Sequence, residues 1–146
     1  MEEQGILMRK PPRVVRRTGP KPQPCVMIVE DDHDIGFLLK RWFENMGVKT
    51  MLATSTREAL ELVQDVSFIE SKLDGLLVDY QLPDATGCRV IQEFVSEFPG
   101  VPVAMMTAYD DITLEGWVRA HRIQLFRKPL DLPRLEAWLY SLPLPA

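Results

Sequence analysis

Several polar residues of this 146-residue chain each follow a short apolar run, and their types could do chemistry together. These residues are the carboxylates Glu30, Asp31 and Asp79, the hydroxyl of Thr107 and the ammonium of Lys128. Carboxylates that lie close together repel one another and need a cation, and such hard oxygen ligands suit Mg²⁺ better than zinc or copper. A carboxylate beside Mg²⁺ and a lysine can attack phosphorus, because both cations stabilise charge on the transferred group. The residue types therefore predict an aspartyl-phosphate site, provided that the fold brings them together.

Short apolar segments alternate with helical patterns along the chain, which is typical of a parallel sheet flanked by helices. The predicted strands are residues 26–29, 48–53, 75–78, 101–106 and 123–126. In an open parallel sheet, ligands bind at the carboxyl ends of the strands, where the strand order reverses. We therefore predict an α/β fold, a doubly wound and flavodoxin-like (βα)5 sheet of five parallel strands with helices on both faces. The polar residues would then share one edge of that sheet.

Five helices are predicted from apolar residues at helical spacing and from the capping residues before them. The apolar stripes are Ile35, Leu38, Leu39, Trp42, Phe43 and Met46; Ala59, Leu62, Val63 and Val66; Val90, Ile91, Phe94, Val95 and Phe98; Leu114, Trp117 and Val118; and Leu132, Leu135, Leu139 and Leu142. The predicted caps are Asp34, Ser55 in a capping box with Glu58, Asp110 or Asp111, and Asp131. For Trp117 and Trp138, two interpretations stay open: one buried and one exposed, or both in the core.

Charge is distributed unevenly along the chain, whose formal net charge is −4. Residues 1–24 carry six Lys and Arg against two Glu, a net charge of +4, which leaves −8 for residues 25–146. We predict that residues 1–24 are a disordered, basic and proline-rich arm, that residues 25–142 form one domain, and that residues 143–146 are a tail or the start of a linker.

No apolar run approaches the roughly 20 residues that span a bilayer. Two cysteines cannot build a disulfide framework, and we see no signal-peptide core, so a cytoplasmic location is expected.

Four motifs occur in order at spacings that fit the five-unit sheet. They are Val-Met-Ile-Val-Glu-Asp at 26–31, Leu-Leu-Val-Asp-Tyr-Gln-Leu-Pro-Asp-Ala-Thr-Gly at 76–87, Ala-Met-Met-Thr-Ala at 104–108 and Leu-Phe-Arg-Lys-Pro at 125–129. With these motifs, residues 25–142 resemble the receiver domain of two-component response regulators. The resemblance implies a signalling phospho-acceptor that catalyses only its own phosphotransfer and dephosphorylation, and is otherwise not an enzyme.

The resemblance also implies a role for each matching residue. Asp79 would be the phospho-acceptor, and Glu30 and Asp31 the acidic pair that binds Mg²⁺, with Asp31 favoured as the direct ligand. The main-chain carbonyl of Gln81 would be a further Mg²⁺ ligand. Thr107 would donate its hydroxyl to the phosphoryl group and Lys128 would pair with another phosphoryl oxygen. The peptide bond between Lys128 and Pro129 is usually cis in this family.

The implied partners are a histidine kinase or phosphotransfer protein as donor, and a downstream protein that binds the face of the fourth helix, fifth strand and fifth helix. A homodimer through that face is a further expectation. The residues two beyond the acceptor and two beyond the threonine, Gln81 and Tyr109, are expected to set the lifetime of the phosphoryl group. A bulky Tyr109 would shield the acyl phosphate from water.

The chain departs from the family pattern at several positions. Receivers commonly carry an aromatic residue three positions before the lysine, where this chain has Leu125, and the adjacent Phe126 points to the opposite face of a strand. A small Gly-Ala step before the fifth strand is missing near Arg122, and the segment 67–74 is longer than typical.

Three alternatives remain open from the sequence. Asp32 could replace a member of the acidic pair as a ligand. The chain could be a degenerate receiver that binds partners without phosphorylation, an interpretation that Leu125 favours. The basic arm could bind nucleic acid or an anionic membrane weakly and in a salt-sensitive manner. A magnesium-dependent phosphatase is disfavoured, because its Asp-x-Asp arrangement is not supplied by the order Glu-Asp-Asp at 30–32.

Overall fold

A computed structural model describes residues 23–69 and 72–143, and a five-stranded parallel sheet forms its centre. The strands are β1 (Cys25–Val29), β2 (Lys49–Ala53), β3 (Gly75–Asp79), β4 (Val103–Thr107) and β5 (Gln124–Arg127), in the order β2-β1-β3-β4-β5. The helices are α1 (His33–Asn45), α2 (Thr56–Phe68), α3 (Gly87–Glu97), α4 (Ile112–Ala120) and α5 (Leu132–Tyr140). The predicted doubly wound sheet is confirmed, and its strand order reverses between β1 and β3.

Two apolar cores lie on the two faces of the sheet, because successive strand side chains point in opposite directions. In β1, Met27 and Val29 pack with α2, α3 and α4, whereas Val26 and Ile28 pack with α1 and α5. All four side chains are fully buried, as expected for a parallel strand covered on both faces. Trp138 is buried and Trp117 packs against the core from a partly buried position, so both tryptophans belong to the core.

The predicted burial of three residues in the apolar stripes is wrong. Leu38 is 66% exposed, Val95 is 40% exposed and Leu132 is 45% exposed. Each lies at the margin of its stripe, and only the middle of a stripe reaches the sheet. Leu38 stands beside Phe37, which is 52% exposed, on the outer surface of α1.

The predicted cap of α1 is also wrong, because Asp32 and not Asp34 caps the helix. The Asp32 carboxylate accepts the N–H groups of Asp34 and Ile35 at 3.0 and 3.1 Å. Helix α1 begins at His33, so Asp34 already lies within its first turn. This position gives Asp32 a structural role, separate from the acidic pair.

The other predicted caps are confirmed, with one change of partner. Ser55, Asp111 and Asp131 accept backbone N–H groups at the starts of α2, α4 and α5. Glu58 does not close the capping box on Ser55. Its carboxylate instead accepts the backbone N–H and the hydroxyl of Thr54, at 2.6 and 2.9 Å.

Arg122, just before β5, has a φ of 59°, in the left-handed region that favours glycine. The resemblance implies a small Gly-Ala step near this point, and the chain makes the turn with an arginine. A side chain in this conformation costs about 1–2 kcal/mol.

Predictions that fall on residues 1–22, 70–71 and 144–146 lie outside the described residues. They concern most of the basic arm, part of the long segment 67–74 and most of the tail. Within the described part of the chain, no helix has the length and apolar content that a membrane span requires.

Gly87 begins α3 in close contact with the end of β3. A Cβ atom at this position would lie 2.4 Å from the carbonyl oxygen of Asp79 and 3.0 Å from Cγ2 of Val78. The absence of a side chain therefore lets the helix start directly beside the last residue of the central strand.

We predict that Gly87→Ala lowers the free energy of unfolding by about 2–3 kcal/mol, because backbone must move to relieve the overlap. Gly116→Ala is the control, since a Cβ in this α4 position meets nothing within 4 Å. That variant should gain about 0.5–1 kcal/mol from helix propensity. Urea unfolding of both variants measures the difference, and equal effects would contradict the steric explanation.

Candidate functional site

The predicted site residues meet at the carboxyl edge of the sheet, each at the end of a different strand. Glu30 follows β1, Asp79 ends β3, Thr107 ends β4 and Lys128 follows β5. Backbone hydrogen bonds continue past the strand ends and hold these positions: Glu30 donates to Ala53 at 3.0 Å and Lys128 donates to Thr107 at 2.8 Å. Glu30, Asp79 and Thr107 are buried at 1%, 6% and 1% exposure. The site is therefore part of the rigid sheet.

Lys128 joins the two buried carboxylates. Its Nζ lies 3.0 Å from Oε1 of Glu30 and 2.9 Å from Oδ2 of Asp79. Burial opposes the charged form of the lysine, but the hydrogen bonds to Asp79 and Glu30 outweigh burial and raise its pKa. The ammonium therefore keeps its proton at neutral pH. The Lys128–Pro129 bond is cis, as the resemblance implies.

Glu30 is the carboxyl group with the most perturbed ionisation among the described residues. Burial raises its pKa to about 7, the hydrogen bond from Lys128 lowers it, and the charge of Asp79 raises it. Its Oε2 also accepts the N–H of Asp32 at 3.2 Å. Glu30 therefore exchanges its proton close to neutral pH.

Three carboxylates could hold a metal ion. Glu30, Asp31 and Asp79 each offer one oxygen, and these oxygens lie within 4.8 Å of one another. Asp31 is exposed, so the three carboxylates can be reached from solvent on its side. Receiver domains bind Mg²⁺ at an acidic pocket, and this all-oxygen set fits such a hard ion. The N–H of Gln81 donates to Oδ1 of Asp79 at 3.3 Å, while the role of its carbonyl stays a prediction.

Thr107 lies beside the end of β3, one residue beyond Met106, which is the strand partner of Asp79. Its hydroxyl oxygen accepts the N–H of Tyr109 at 3.0 Å. That bond uses a lone pair and leaves the hydroxyl proton available for another acceptor.

Tyr109 and Gln81 meet just beyond the end of β3. The hydroxyl of Tyr109 hydrogen-bonds to Oε1 of Gln81, and its ring lies edge-on to that of Tyr80 with 6.4 Å between centroids. Tyr109 is 47% exposed, so part of the ring covers protein and part faces solvent. The two residues expected to set the phosphoryl lifetime are thus brought into direct contact.

Sequence reasoning missed Arg127, which ties the loop after β4 to the end of β5. Its guanidinium donates to the carbonyl of Tyr109 at 2.6 Å, lies 3.1 Å from Oδ1 of Asp110 and pairs with Glu115. These contacts join residues 12 to 18 positions apart, for which the sequence carries no periodic signal. It also missed Asp84, whose carboxylate binds the start of α2.

The strand direction of Leu125 and Phe126 is as predicted. Leu125 packs against the core beneath α4, and Phe126 is buried on the opposite face with α5. Phe126 therefore does not replace the aromatic residue expected at position 125. His33 is exposed, and His121 follows α4 with its ring stacked on Trp117. Neither histidine belongs to the group of side chains that could hold a metal ion.

Comparison with known proteins gives one consistent result. The family model described as response regulator receiver domain matches residues 26–140. The response regulator protein PilR of Pseudomonas aeruginosa is 36% identical over 111 residues, which are 75% of this chain and 24% of that protein. The transcriptional regulatory protein ZraR of Escherichia coli is 30% identical over 115 residues, 78% of this chain and 25% of that protein. The chain thus spans about a quarter of the length of these curated relatives.

Solved structures agree at the level of the fold. The non-phosphorylated HemR receiver domain from Leptospira biflexa has a TM-score of 0.72 at 23% identity, covering 85% of this chain and 99% of that one. The chemotaxis protein CheY4 of Vibrio cholerae has a TM-score of 0.71 at 20% identity, covering 83% of this chain and 99% of that one. Because these identities are low, the likeness bears on the fold alone.

The pKa of Glu30 predicts how stability depends on pH without metal. A carboxyl group with a raised pKa binds its proton more tightly in the folded protein than in the unfolded chain. Its contribution to stability is therefore complete below its ordinary pKa of 4.5 and falls as the pH rises toward about 7. The raised pKa of Lys128 affects the free energy of unfolding only at alkaline pH. The stability that this group contributes is lost as the pH rises through its pKa in the folded protein.

We expect wild-type stability to fall by about 1–3 kcal/mol relative to Glu30→Gln as the pH rises through this window. Urea unfolding in the presence of a chelator, at pH values between 4.5 and 7, measures the two curves. Parallel curves would show that Glu30 titrates normally.

Proposed function

Since the chain belongs to the response regulator receiver domain family, we propose that Asp79 accepts a phosphoryl group from a histidine kinase or a phosphotransfer protein. The expected resemblance to two-component receivers is thereby confirmed, and the transfer itself is the proposal. One observation supports it above the others: Lys128 lies 2.9 Å from the Asp79 carboxylate, beside two further carboxylates suited to Mg²⁺.

The transfer would proceed by substitution at phosphorus. A carboxylate oxygen of Asp79 forms a bond to phosphorus while the phosphorus–nitrogen bond of the donor breaks, and the electron pair returns to the imidazole nitrogen, which takes up a proton from solvent. Mg²⁺, when bound, supplies positive charge that offsets the charge on the phosphoryl oxygens. Glu30, Asp31, Asp79 and the Gln81 carbonyl are the groups that would hold it.

Lys128 and Thr107 would orient the product. The ammonium binds Asp79 before the reaction and can turn to a phosphoryl oxygen after it, since the carboxylate becomes an ester-like acyl group with less negative charge. Thr107 would donate the hydroxyl proton that its contact with Tyr109 leaves unused. Both groups sit on rigid strand ends, so they need little reorganisation.

Partner binding would change through the face of α4, β5 and α5. Thr107 accepts the N–H of Tyr109, and Arg127 binds the carbonyl of the same residue. Arg127 lies on β5 and also pairs with Glu115 of α4. A movement of Thr107 would therefore reach this face through Tyr109 and Arg127. Ile112 and Tyr140 are exposed on α4 and α5, which suits a protein partner.

The first test is intact mass after incubation with a small-molecule acyl phosphate. We expect one phosphoryl group on the wild-type protein with Mg²⁺, and none on Asp79→Asn or in the presence of a chelator. Asp74→Asn is the matched control, because Asp74 binds the N–H of Cys25 at the opposite end of the sheet. An adduct on Asp79→Asn would place the acceptor elsewhere. A folded wild type without any adduct would favour the degenerate receiver.

The second test concerns the lifetime of the phosphoryl group. Tyr109→Ala should speed its hydrolysis several-fold, because the ring that limits access of water is removed. Tyr109→Phe keeps the ring and loses only the hydrogen bond to Gln81, so it should hydrolyse at a rate nearer to wild type. Loss of the adduct with time, followed by mass, measures the rates. An unchanged rate in Tyr109→Ala would contradict shielding.

A further inference from the structure

The loop between β3 and α3 is fixed at its base by its own backbone. The N–H of Gly87 donates to the carbonyl of Tyr80 at 2.7 Å, and the N–H of Leu82 donates to that of Ala85 at 3.2 Å. Leu82 is buried, whereas its neighbours toward the tip of the loop are exposed. The tip therefore needs a contact from another element to keep one position.

Asp84 makes that contact with the start of α2. Its Oδ1 accepts the N–H of Thr56 and its Oδ2 accepts the N–H of Arg57, each at 2.9 Å. These two backbone donors lower the pKa of Asp84, so the carboxylate stays charged at neutral pH. The side chain of Arg57 turns to Glu61 instead, so the link uses backbone donors with fixed positions.

Helix α2 depends on this carboxylate as much as the loop does. The first N–H groups of a helix have no partner within it, and the cap Ser55 accepts only the N–H of Glu58. Thr56 is 4% exposed, so its N–H has little access to water as an alternative. A negative charge at this end is also favoured by the helix dipole. The loop tip is therefore held by a contact that both elements need.

The same loop carries Gln81, the residue whose backbone lies against the acceptor. The N–H of Gln81 donates to Oδ1 of Asp79, and Gln81 pairs with Thr86 across the loop. A loop that shifts would displace both the Gln81 backbone and the Asp79 carboxylate that it contacts. Two groups of the proposed metal site thus depend on where the loop lies.

We infer that Asp84 is a positioning residue that anchors this loop on α2 and thereby sets the affinity of the site for Mg²⁺. The inference rests on the proposed function, because it concerns the metal on which the phosphotransfer would depend. Asp84 binds neither the metal nor the phosphoryl group.

The experiment is calorimetric titration of the full chain with Mg²⁺, together with urea unfolding in a chelator. Loss of a group that hydrogen-bonds a metal ligand commonly weakens binding by about 10- to 100-fold, and Asp84 acts one step further out, so we expect the lower end, roughly tenfold weaker binding in Asp84→Ala. Asp84→Asn keeps one acceptor oxygen and should fall between this variant and the wild type. Asp74→Ala is the control, since it removes a carboxylate that accepts a backbone N–H far from the site.

Thr56→Pro removes one of the two backbone donors of the link, the N–H of Thr56, and leaves the loop sequence intact. Proline is favoured at the first position of a helix, and the extended backbone of Ser55, with φ −155° and ψ 166°, suits a residue before proline. This variant should weaken Mg²⁺ binding as Asp84→Asn does. It also keeps the inference testable if Asp84→Ala fails to fold.

The outcomes separate the two proposals. Weaker binding in the Asp84 and Thr56 variants, with wild-type binding in Asp74→Ala, supports the anchor. Wild-type affinity in Asp84→Ala or in both milder variants overturns it and leaves the proposed function standing. Equal weakening in Asp74→Ala also overturns it, since the effect would then follow general stability. A wild-type protein that does not bind Mg²⁺ overturns both.

Discussion

The attraction between Lys128 and the two buried carboxylates is the interaction on which the rest of the site depends. Glu30 and Asp79 end two adjacent central strands, and their charges would repel across that short gap. Lys128 comes from β5, beyond β4, and reaches both oxygens within 3.0 Å. Burial raises the pKa of Glu30 to about 7, and the single ammonium lowers it only in part, so the group stays suited to a further cation. A buried charge cluster that is incompletely neutralised is costly for folding and useful for chemistry.

The sheet and the site could be predicted from the sequence because both follow from local patterns. Apolar runs mark strands buried on two faces, and parallel strands bring their ends together, so Asp79 and Lys128 had to meet once the strands were placed. The exact strand limits differ by one or two residues, because hydrogen bonding to a neighbour decides where a strand ends. Asp79, for example, pairs within the sheet although the apolar run stops at Val78.

The cap of α1 and the partners of Asp84 and Arg127 could not be predicted from the sequence, because tertiary contacts determine them. Asp32 and Asp34 are chemically equivalent caps, and only the start of α1 at His33 selects between them. Asp84 could have been an exposed turn residue, and its role depends on a helix 28 positions earlier in the chain. Arg127 likewise acts through a loop and a helix that no periodicity connects to it. From the sequence alone, each of these polar residues would be expected at the surface. Only the positions of their partners in the fold determine what they bind.

The spacing of the charged groups along the chain has a consequence for how the molecule forms. Lys128 is 49 residues from Asp79 and 98 residues from Glu30 along the chain. The central strands β1 and β3 are neighbours in the sheet, although β2 lies between them in the sequence. During synthesis from the N-terminus, both acids are therefore made long before the lysine. Until β5 joins the edge of β4, Glu30 and Asp79 lack the ammonium that lowers the pKa of Glu30 and favours its ionised form. Addition of the last strand and ionisation of the centre of the sheet are thus coupled, which links completion of the domain to completion of its chemistry.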